Sequence, residues 1–179
     1  AAGLAEVVKY GVIADADFFA WLEANVDALL RRDHQALACI IERSCQAKAD
    51  VVARDEREGG VRAILNYGHT FAHAVENLAG YGKWLHGEAV SVGMIMAARF
   101  SEELGLLNQG QAGRLTELLR CLNLPVELTD QVNVDDMVKA MGMDKKAADG
   151  KLRFVVTEGF GKASVTGDFP DQTLMSVLA

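Results

Sequence analysis

Apolar residues recur at helical spacing along most of the chain. The first run contains Leu4, Val7 and Val8, and positions three or four apart lie on one face of a helix. A second run begins behind Asp15 and Asp17, and aspartate is a favoured residue at helix N-termini. The same spacing predicts further helices over about residues 33–54, 66–78, 87–104, 109–121 and 133–142, with a short helix after Pro170. The chain is therefore expected to be mainly helical.

The pattern changes once, near the C-terminus. Residues 151–157 mix polar and apolar positions around a β-branched pair, which is typical of a strand. Residues 163–165 form a second short run of the same kind, and Gly159 and Gly161 lie between the two. Two such runs around a glycine turn predict a β-hairpin. The sequence contains no internal repeat and no Pro-rich linker. The expected fold class is mainly α: a single multi-helical domain with a small β-hairpin near the C-terminus.

Charge and cysteine content argue against some kinds of partner and indicate a cellular compartment. The 179 residues carry a net charge of −7, so bulk charge does not favour nucleic acid or an anionic membrane as a partner. Apolar runs are interrupted before the roughly eighteen residues that a membrane span needs. Cys39, Cys45 and Cys121 have no paired spacing, which is typical of thiols in a reducing compartment, so we expect a cytoplasmic protein. Without an initiator Met, the chain is also expected to be a fragment.

Three of the four histidines, His69, His73 and His86, fall within eighteen residues. Because residues four apart share a helix face, His69 and His73 can enter one cavity, where imidazole binds zinc or a similar ion. Catalytic zinc usually has three protein ligands, and Glu6 is a candidate carboxylate from the opening helix. The alternative is that these histidines cap helices or fill polar niches, since the spacing lacks the glutamate of the HExxH pattern. His34, remote from the others, is interpreted as a solvated residue.

Basic residues near this stretch predict a site for an anion. Lys9 follows Glu6 by three residues, Lys48 lies on the third predicted helix, and Arg62 precedes the histidines. Arginine binds oxyanions through two hydrogen bonds and lysine acts as a point charge. Helical lysines are usually surface residues, so the interpretation requires that these cations, together with the pair at positions 145 and 146, converge in space.

Four strings carry a resemblance to a known family: GLAEVVKYGVI at 3–13, KADVVARDEREGGVRAILNYGHTFAHAVE at 48–76, HGEAVSVGM at 86–94 and MDKK at 143–146. Together they resemble the 3-dehydroquinate synthases and correspond to their C-terminal helical domain. The resemblance implies that residues 1–179 form a metal- and substrate-binding domain. It also implies that an N-terminal NAD-binding domain, absent from this chain, supplies most of the NAD site and completes a two-domain fold.

The resemblance also implies roles for individual residues. The metal ligands, for Zn²⁺ or Co²⁺, are Glu6, His69 and His86. His73 is not a ligand but a hydrogen-bonding or proton-relay group close to the substrate. The implied substrate-binding residues are Lys9, Lys48, Arg62, Asn66, His73 and Lys145, among which Lys48, Asn66 and His73 also have catalytic roles.

The implied activity is that of a carbon–oxygen lyase. It converts the phosphorylated sugar acid 3-deoxy-D-arabino-heptulosonate 7-phosphate (DAHP) to 3-dehydroquinate and phosphate in the shikimate pathway, with catalytic NAD and a divalent metal. A homodimer is expected for the full-length protein, and the fragment alone is expected to be inactive. Three alternatives stay open: a metal-dependent NAD polyol or alcohol dehydrogenase, another sugar phosphate cyclase and, for the fragment, a metal-binding module without catalytic activity.

Overall fold

The computed structural model describes residues 1–55, 60–80, 82–128, 133–144 and 152–179. Its helices are α1 (Ala2–Ala14), α2 (Ala16–Ala24), α3 (Val26–Leu30), α4 (His34–Arg54), a 3₁₀ helix (Val61–Asn66), α5 (His69–Ala79), α6 (His86–Glu103), α7 (Gln111–Cys121), α8 (Val134–Asp144) and α9 (Asp171–Leu178). Two strands, β1 (Phe154–Thr157) and β2 (Ala163–Thr166), precede α9. The predicted fold class, mainly helical with one small hairpin, is confirmed.

Side-chain caps set several helix boundaries. The Asp15 carboxylate accepts a hydrogen bond from the backbone N–H of Phe18 at 2.8 Å, which caps α2. The apolar run behind Asp15 and Asp17 continues to Leu30 and predicts a single helix, but this prediction is wrong, because the helix breaks into α2 and α3 at Asn25. The Asn25 side-chain amide donates to the carbonyl oxygen of Trp21 at 2.7 Å. Asparagine offers the backbone an alternative to the helical ladder, which explains the break.

The predicted histidine-rich helix begins later than expected. Residues Val61–Asn66 form a separate 3₁₀ helix, and α5 starts only at His69. Gly68 separates the two with a φ of 77°, a left-handed conformation that suits glycine. A side chain there would also collide with α6, since a Cβ atom would lie 2.7 Å from the backbone nitrogen of Met94. Asn66 is therefore not on the helix that carries the histidines.

The core forms where α5 and α6 pack together and α1 crosses α6. Tyr67 is fully buried, and its hydroxyl donates to the carbonyl oxygen of Met94 at 3.3 Å. Burial raises the pKa of this phenol far above its usual value, so the hydroxyl stays a donor. Gly93 allows the close approach of the two helices, because a Cβ atom there would lie 2.3 Å from the carbonyl oxygen of Gly68.

The hairpin closes the other side of this core. β1 and β2 are antiparallel, with Val155 opposite Val165. Phe154 of β1 stacks on Phe71 of α5 with ring centroids 5.0 Å apart, and it lies 4.9 Å from the ring of Phe100 of α6. The hairpin therefore packs against both α5 and α6, the helices that carry the clustered histidines. In the described part of the chain, every helix is too short or too polar to cross a membrane.

Candidate metal centre

Three potential ligand side chains meet where α1, α5 and α6 approach one another. Glu6 lies on α1, while His69 and His86 are the first residues of α5 and α6. Oε1 of Glu6 is 3.6 Å from Nε2 of His69 and 4.0 Å from Nε2 of His86. One ligand atom from each of the three residues lies within 4.8 Å of the ligand atoms of the other two. A carboxylate and two imidazoles form a typical donor set for zinc and related divalent ions.

A glycine contact brings α1 to the start of α6. A Cβ atom at Gly87 would lie 2.0 Å from the carbonyl oxygen of Ala2, so only glycine fits this crossing. Gly87 directly follows His86, and Ala2 lies one turn before Glu6 on α1. The contact thus sets the separation between a carboxylate and an imidazole that are eighty residues apart in sequence.

The polar atoms at this point fit a cation. Oε1 of Glu6 is buried and has no hydrogen-bond partner among the residues that the structure describes, although about a third of the whole side chain is exposed. A buried carboxylate oxygen without a partner is costly. Two ligands of a tetrahedral zinc ion lie about 3.4 Å apart, given bonds of about 2.1 Å. The observed separations of 3.6 and 4.0 Å are close to that value. An ion between the three side chains would satisfy the unpaired oxygen.

Hydrogen bonds to the far side of each imidazole leave Nε2 available. Nδ1 of His69 lies 3.2 Å from the carbonyl oxygen of Tyr67, and because a carbonyl only accepts, Nδ1 carries the proton. Nδ1 of His86 lies 3.1 Å from Oε1 of Glu76. Burial, with the positive charge of Lys9 as the next cause, lowers the pKa of His69 below its usual value. The neutral imidazole that binds metals is therefore favoured.

Lys9 places a positive charge beside the three residues. Its side chain is only 5% exposed, and Nζ lies 2.6 Å from Oε2 of Glu6. Nζ also lies 5.5 Å from the centroid of the Tyr10 ring. The two oxygens of Glu6 thus have different surroundings: Lys9 holds Oε2, and Oε1 faces the histidines.

His73 lies next to this group but outside it. Its ring centroid is 5.8 Å from that of His69 and 6.3 Å from that of His86. It is exposed and lines a cavity of about 320 Å³ together with Glu76, Trp84 and nearby residues. The shared helix face predicted from the spacing of His69 and His73 is present, yet the ring nearest to His69 is that of His86, at 5.3 Å.

The remaining substrate-binding candidates lie on neighbouring elements. Lys48 is exposed on α4, and Asn66 is exposed at the end of the 3₁₀ helix, which packs against both α1 and α4. Arg62 is half-buried on the same 3₁₀ helix, and its backbone N–H donates to Oδ2 of Asp55 at 3.0 Å. Lys145 lies outside the described residues.

Two groups at this site were not assigned a role from the sequence. The Tyr67 carbonyl accepts a hydrogen bond from Nδ1 of His69, and the Glu76 carboxylate accepts one from Nδ1 of His86. A signal for Glu76 was available, since it follows His69 by seven residues and His73 by three and so shares their helix face. Glu88 has a structural role instead, because its Oε2 accepts from the backbone N–H of Leu85 at 2.9 Å and caps α6.

Comparisons with known proteins show which family the chain resembles. The family described as 3-dehydroquinate synthase C-terminal matches residues 3–147. A 3-dehydroquinate synthase from Teredinibacter turnerae is 51% identical over 177 residues, which cover 99% of this chain and 49% of that protein. The chain therefore spans about half the length of this relative.

Solved structures give the same picture of the fold. The 2-epi-5-epi-valiolone synthase ValA from Streptomyces hygroscopicus, with NAD⁺ and Zn²⁺ bound, is 28% identical, with a TM-score of 0.88 over 99% of this chain and 49% of that one. A 2-deoxy-scyllo-inosose synthase complexed with carbaglucose-6-phosphate, NAD⁺ and Co²⁺ is 26% identical, with a TM-score of 0.82 over 99% and 51% of the two chains. From the match over residues 3–147 and the 51% identity along almost its whole length, the chain belongs to the 3-dehydroquinate synthase family, to the part that the family describes as C-terminal.

Proposed function

We propose that the protein to which this chain belongs is a 3-dehydroquinate synthase, a carbon–oxygen lyase that converts DAHP to 3-dehydroquinate and phosphate in the biosynthesis of aromatic amino acids. The single observation that carries the proposal is the convergence of Glu6, His69 and His86 around one buried, unpartnered oxygen. The 51% identity to the Teredinibacter enzyme supports the choice of reaction.

The proposed cofactors are NAD and a divalent ion, Zn²⁺ or Co²⁺, held by Glu6, His69 and His86. Two related cyclases contain NAD⁺ together with Zn²⁺ or Co²⁺. When bound, the ion supplies Lewis-acid polarisation of a substrate oxygen, and NAD supplies reversible hydride acceptance. We assign most of the NAD site to an N-terminal domain of the full-length protein, because the chain spans about half the length of its relatives.

The other proposed roles concern the charges of the substrate. Lys9 pairs with one oxygen of Glu6 and adds positive charge at the centre. Lys48, Arg62, Asn66 and Lys145 bind the phosphate and carboxylate groups and so orient the reacting carbon atoms.

His73 acts on protons in this proposal. Once one hydroxyl of the substrate has become a ketone, the neighbouring C–H is acidified, and its proton must leave before phosphate departs. His73 lies beside the metal ligands, is exposed to the cavity and relays protons between the substrate and solvent. Lys48 and Asn66 take part by holding the groups that exchange these protons.

The proposed partners and cellular location follow from the family. The partners in this proposal are a phosphorylated sugar acid, the NAD-binding domain of the same protein and a second copy in a homodimer. We place the protein in the cytoplasm, and the three free cysteines are compatible with a reducing compartment.

The test is phosphate release from DAHP by the intact protein supplied with NAD and Zn²⁺ or Co²⁺. We expect stoichiometric phosphate and 3-dehydroquinate without net NADH, because the hydride is returned. Net NADH from glycerol or a simple alcohol, with no phosphate from DAHP, would instead identify a dehydrogenase. Residues 1–179 alone are expected to release no phosphate.

A second candidate is a sugar phosphate cyclase that forms another carbocycle. It is favoured by the TM-score of 0.88 to a valiolone synthase. A panel of DAHP, sedoheptulose 7-phosphate and glucose 6-phosphate separates the two, and preference for either of the last two would replace the first assignment.

A further inference from the structure

The two nitrogens of the His86 ring face different carboxylates. Nε2 points towards the metal centre and lies 4.0 Å from Oε1 of Glu6. Nδ1 lies 3.1 Å from Oε1 of Glu76, on the opposite side of the ring. In this orientation Glu76 does not bind the ion itself, because the imidazole stands between them. The carboxylate instead determines which nitrogen carries the proton and which nitrogen is free.

The two histidine ligands are held in different ways. The His69 side chain is 15% exposed, and its Nδ1 binds a main-chain carbonyl, so both packing and backbone fix its ring. The His86 side chain is 52% exposed, and its Nδ1 binds a side-chain carboxylate. With half of its surface in solvent, the His86 ring receives less restraint from packing and depends more on this single hydrogen bond.

Glu76 is itself well placed to act as an anchor. Its neighbour Val75 on α5 is buried in the core, so the backbone at this position is fixed by packing. The Glu76 side chain is 30% exposed, and its carboxylate pairs with the imidazole of His86. A charge-assisted hydrogen bond from the imidazole N–H to a partly buried carboxylate is stronger than one between neutral groups.

On the basis of the proposed function, we infer that Glu76 is a positioning residue of the metal centre: it holds His86 with the proton on Nδ1 and the Nε2 lone pair directed at the ion. Such outer partners of histidine ligands typically change metal affinity by about 10–100-fold when they are removed. A carboxylate in this place also makes an imidazole a better donor to a divalent ion.

The test compares Glu76→Ala, Glu76→Gln and the control Glu103→Ala in the intact protein. Glu103 is an exposed glutamate at the last position of α6, at the opposite end of that helix from His86. Zn²⁺ affinity is measured by competition with a chelator, and Co²⁺ absorption reports the ligand geometry. We expect roughly 10–100-fold weaker Zn²⁺ binding and an altered Co²⁺ spectrum for Glu76→Ala. Glu103→Ala should leave both unchanged.

Glu76→Gln separates positioning from charge, because its amide oxygen can still accept the Nδ1 proton. We expect a smaller loss of affinity than in Glu76→Ala and a spectrum close to that of the wild type. Histidine NMR of the metal-free proteins adds a direct readout: Glu76→Ala should reduce the Nδ1–H form of His86 and leave that of His69 unchanged.

Two results would overturn the inference. One is Zn²⁺ affinity of Glu76→Ala within threefold of the wild type with the same Co²⁺ spectrum. The other is an equal loss in Glu76→Gln and Glu76→Ala with no change in the His86 tautomer, which would assign the effect to charge alone. None of these measurements uses DAHP, so a failure of the proposed reaction would leave them interpretable, and the reverse also holds.

Discussion

Replacing Gly87 by alanine tests whether the close approach of α1 to α6 builds the metal centre. A Cβ atom at this position would lie 2.0 Å from the carbonyl oxygen of Ala2 and 2.6 Å from its carbonyl carbon. Real Cβ atoms do not approach a neighbour within 3.0 Å, so the helices must separate by about 1 Å. Glu6 lies one turn further along α1 and moves with it, whereas His86 stays with α6.

Two effects of opposite sign contribute to the expected stability change. Overpacking a tight contact costs about 1–3 kcal/mol. Replacing a glycine within a helix gains about 0.5–1 kcal/mol, and the gain is at the low end here because Gly87 lies in the first turn of α6. We expect a net loss of about 1–2 kcal/mol of unfolding free energy. Because a metal site tolerates errors of only about 0.5 Å, Zn²⁺ affinity should fall at least about tenfold.

Gly113→Ala is the matched control. Gly113 also lies in the first turn of a helix, α7, but a Cβ atom added there would meet no neighbouring element of the described chain within 4 Å. We expect a gain of about 0.4–1 kcal/mol from the reduced entropy of the unfolded chain, and unchanged Zn²⁺ affinity. Urea unfolding of the metal-free proteins and chelator competition measure the two quantities. Wild-type stability and affinity in Gly87→Ala would refute the reasoning, and lost stability with wild-type affinity would show that this contact does not place Glu6.

Three further predictions concern the ligands and their charges. His69→Ala or His86→Ala should lower Zn²⁺ affinity more than His73→Ala in a metal titration, and equal losses would make all three histidines ligands. Lys9→Met should lower the unfolding free energy of the metal-free protein by about 1–2 kcal/mol, because Oε2 of Glu6 loses its partner, and an unchanged urea midpoint would contradict this. Burial lowers the pKa of His69 from 6.5, so in acid the metal-free native state binds fewer protons than the unfolded state. The unfolding free energy should therefore decline as the pH falls below about 6.5. His69→Gln should flatten that decline.

Much of the fold could be predicted because local pattern and tertiary packing agree. α4 and α7 begin and end within about two residues of the spacing-based prediction, since their apolar faces are also the faces that pack. The break at Gly68 could not be predicted in this way. It depends on Met94, twenty-six residues away, whose backbone occupies the space that a side chain at Gly68 would need.

The same distinction applies to the candidate site. Helical spacing alone pairs His69 with His73, because spacing identifies only residues that share a face of the same helix. The proximity of His86 and Glu6 depends on contacts between α1, α5 and α6, and no periodicity within a single element encodes them. Clustering and residue type made both residues candidates, but only the family resemblance assigned them as ligands together with His69 and left His73 out of the set. Glu76 was missed because its partner, His86, lies on another helix.

Both histidines of the candidate centre stand at the first position of a helix, with the backbone N–H groups of α5 and α6 at the same end. The positive ends of two helix dipoles therefore lie beside the Glu6 carboxylate, whose negative charge Lys9 balances. With a divalent ion, and with the Glu76 carboxylate behind His86 counted, the centre has a net charge of about +1, and the helix ends add to its positive field. Such a centre attracts small anions over several ångströms and weakens with added salt. The affinity of this centre for a phosphorylated acid, the proposed substrate class, should therefore fall as the ionic strength rises.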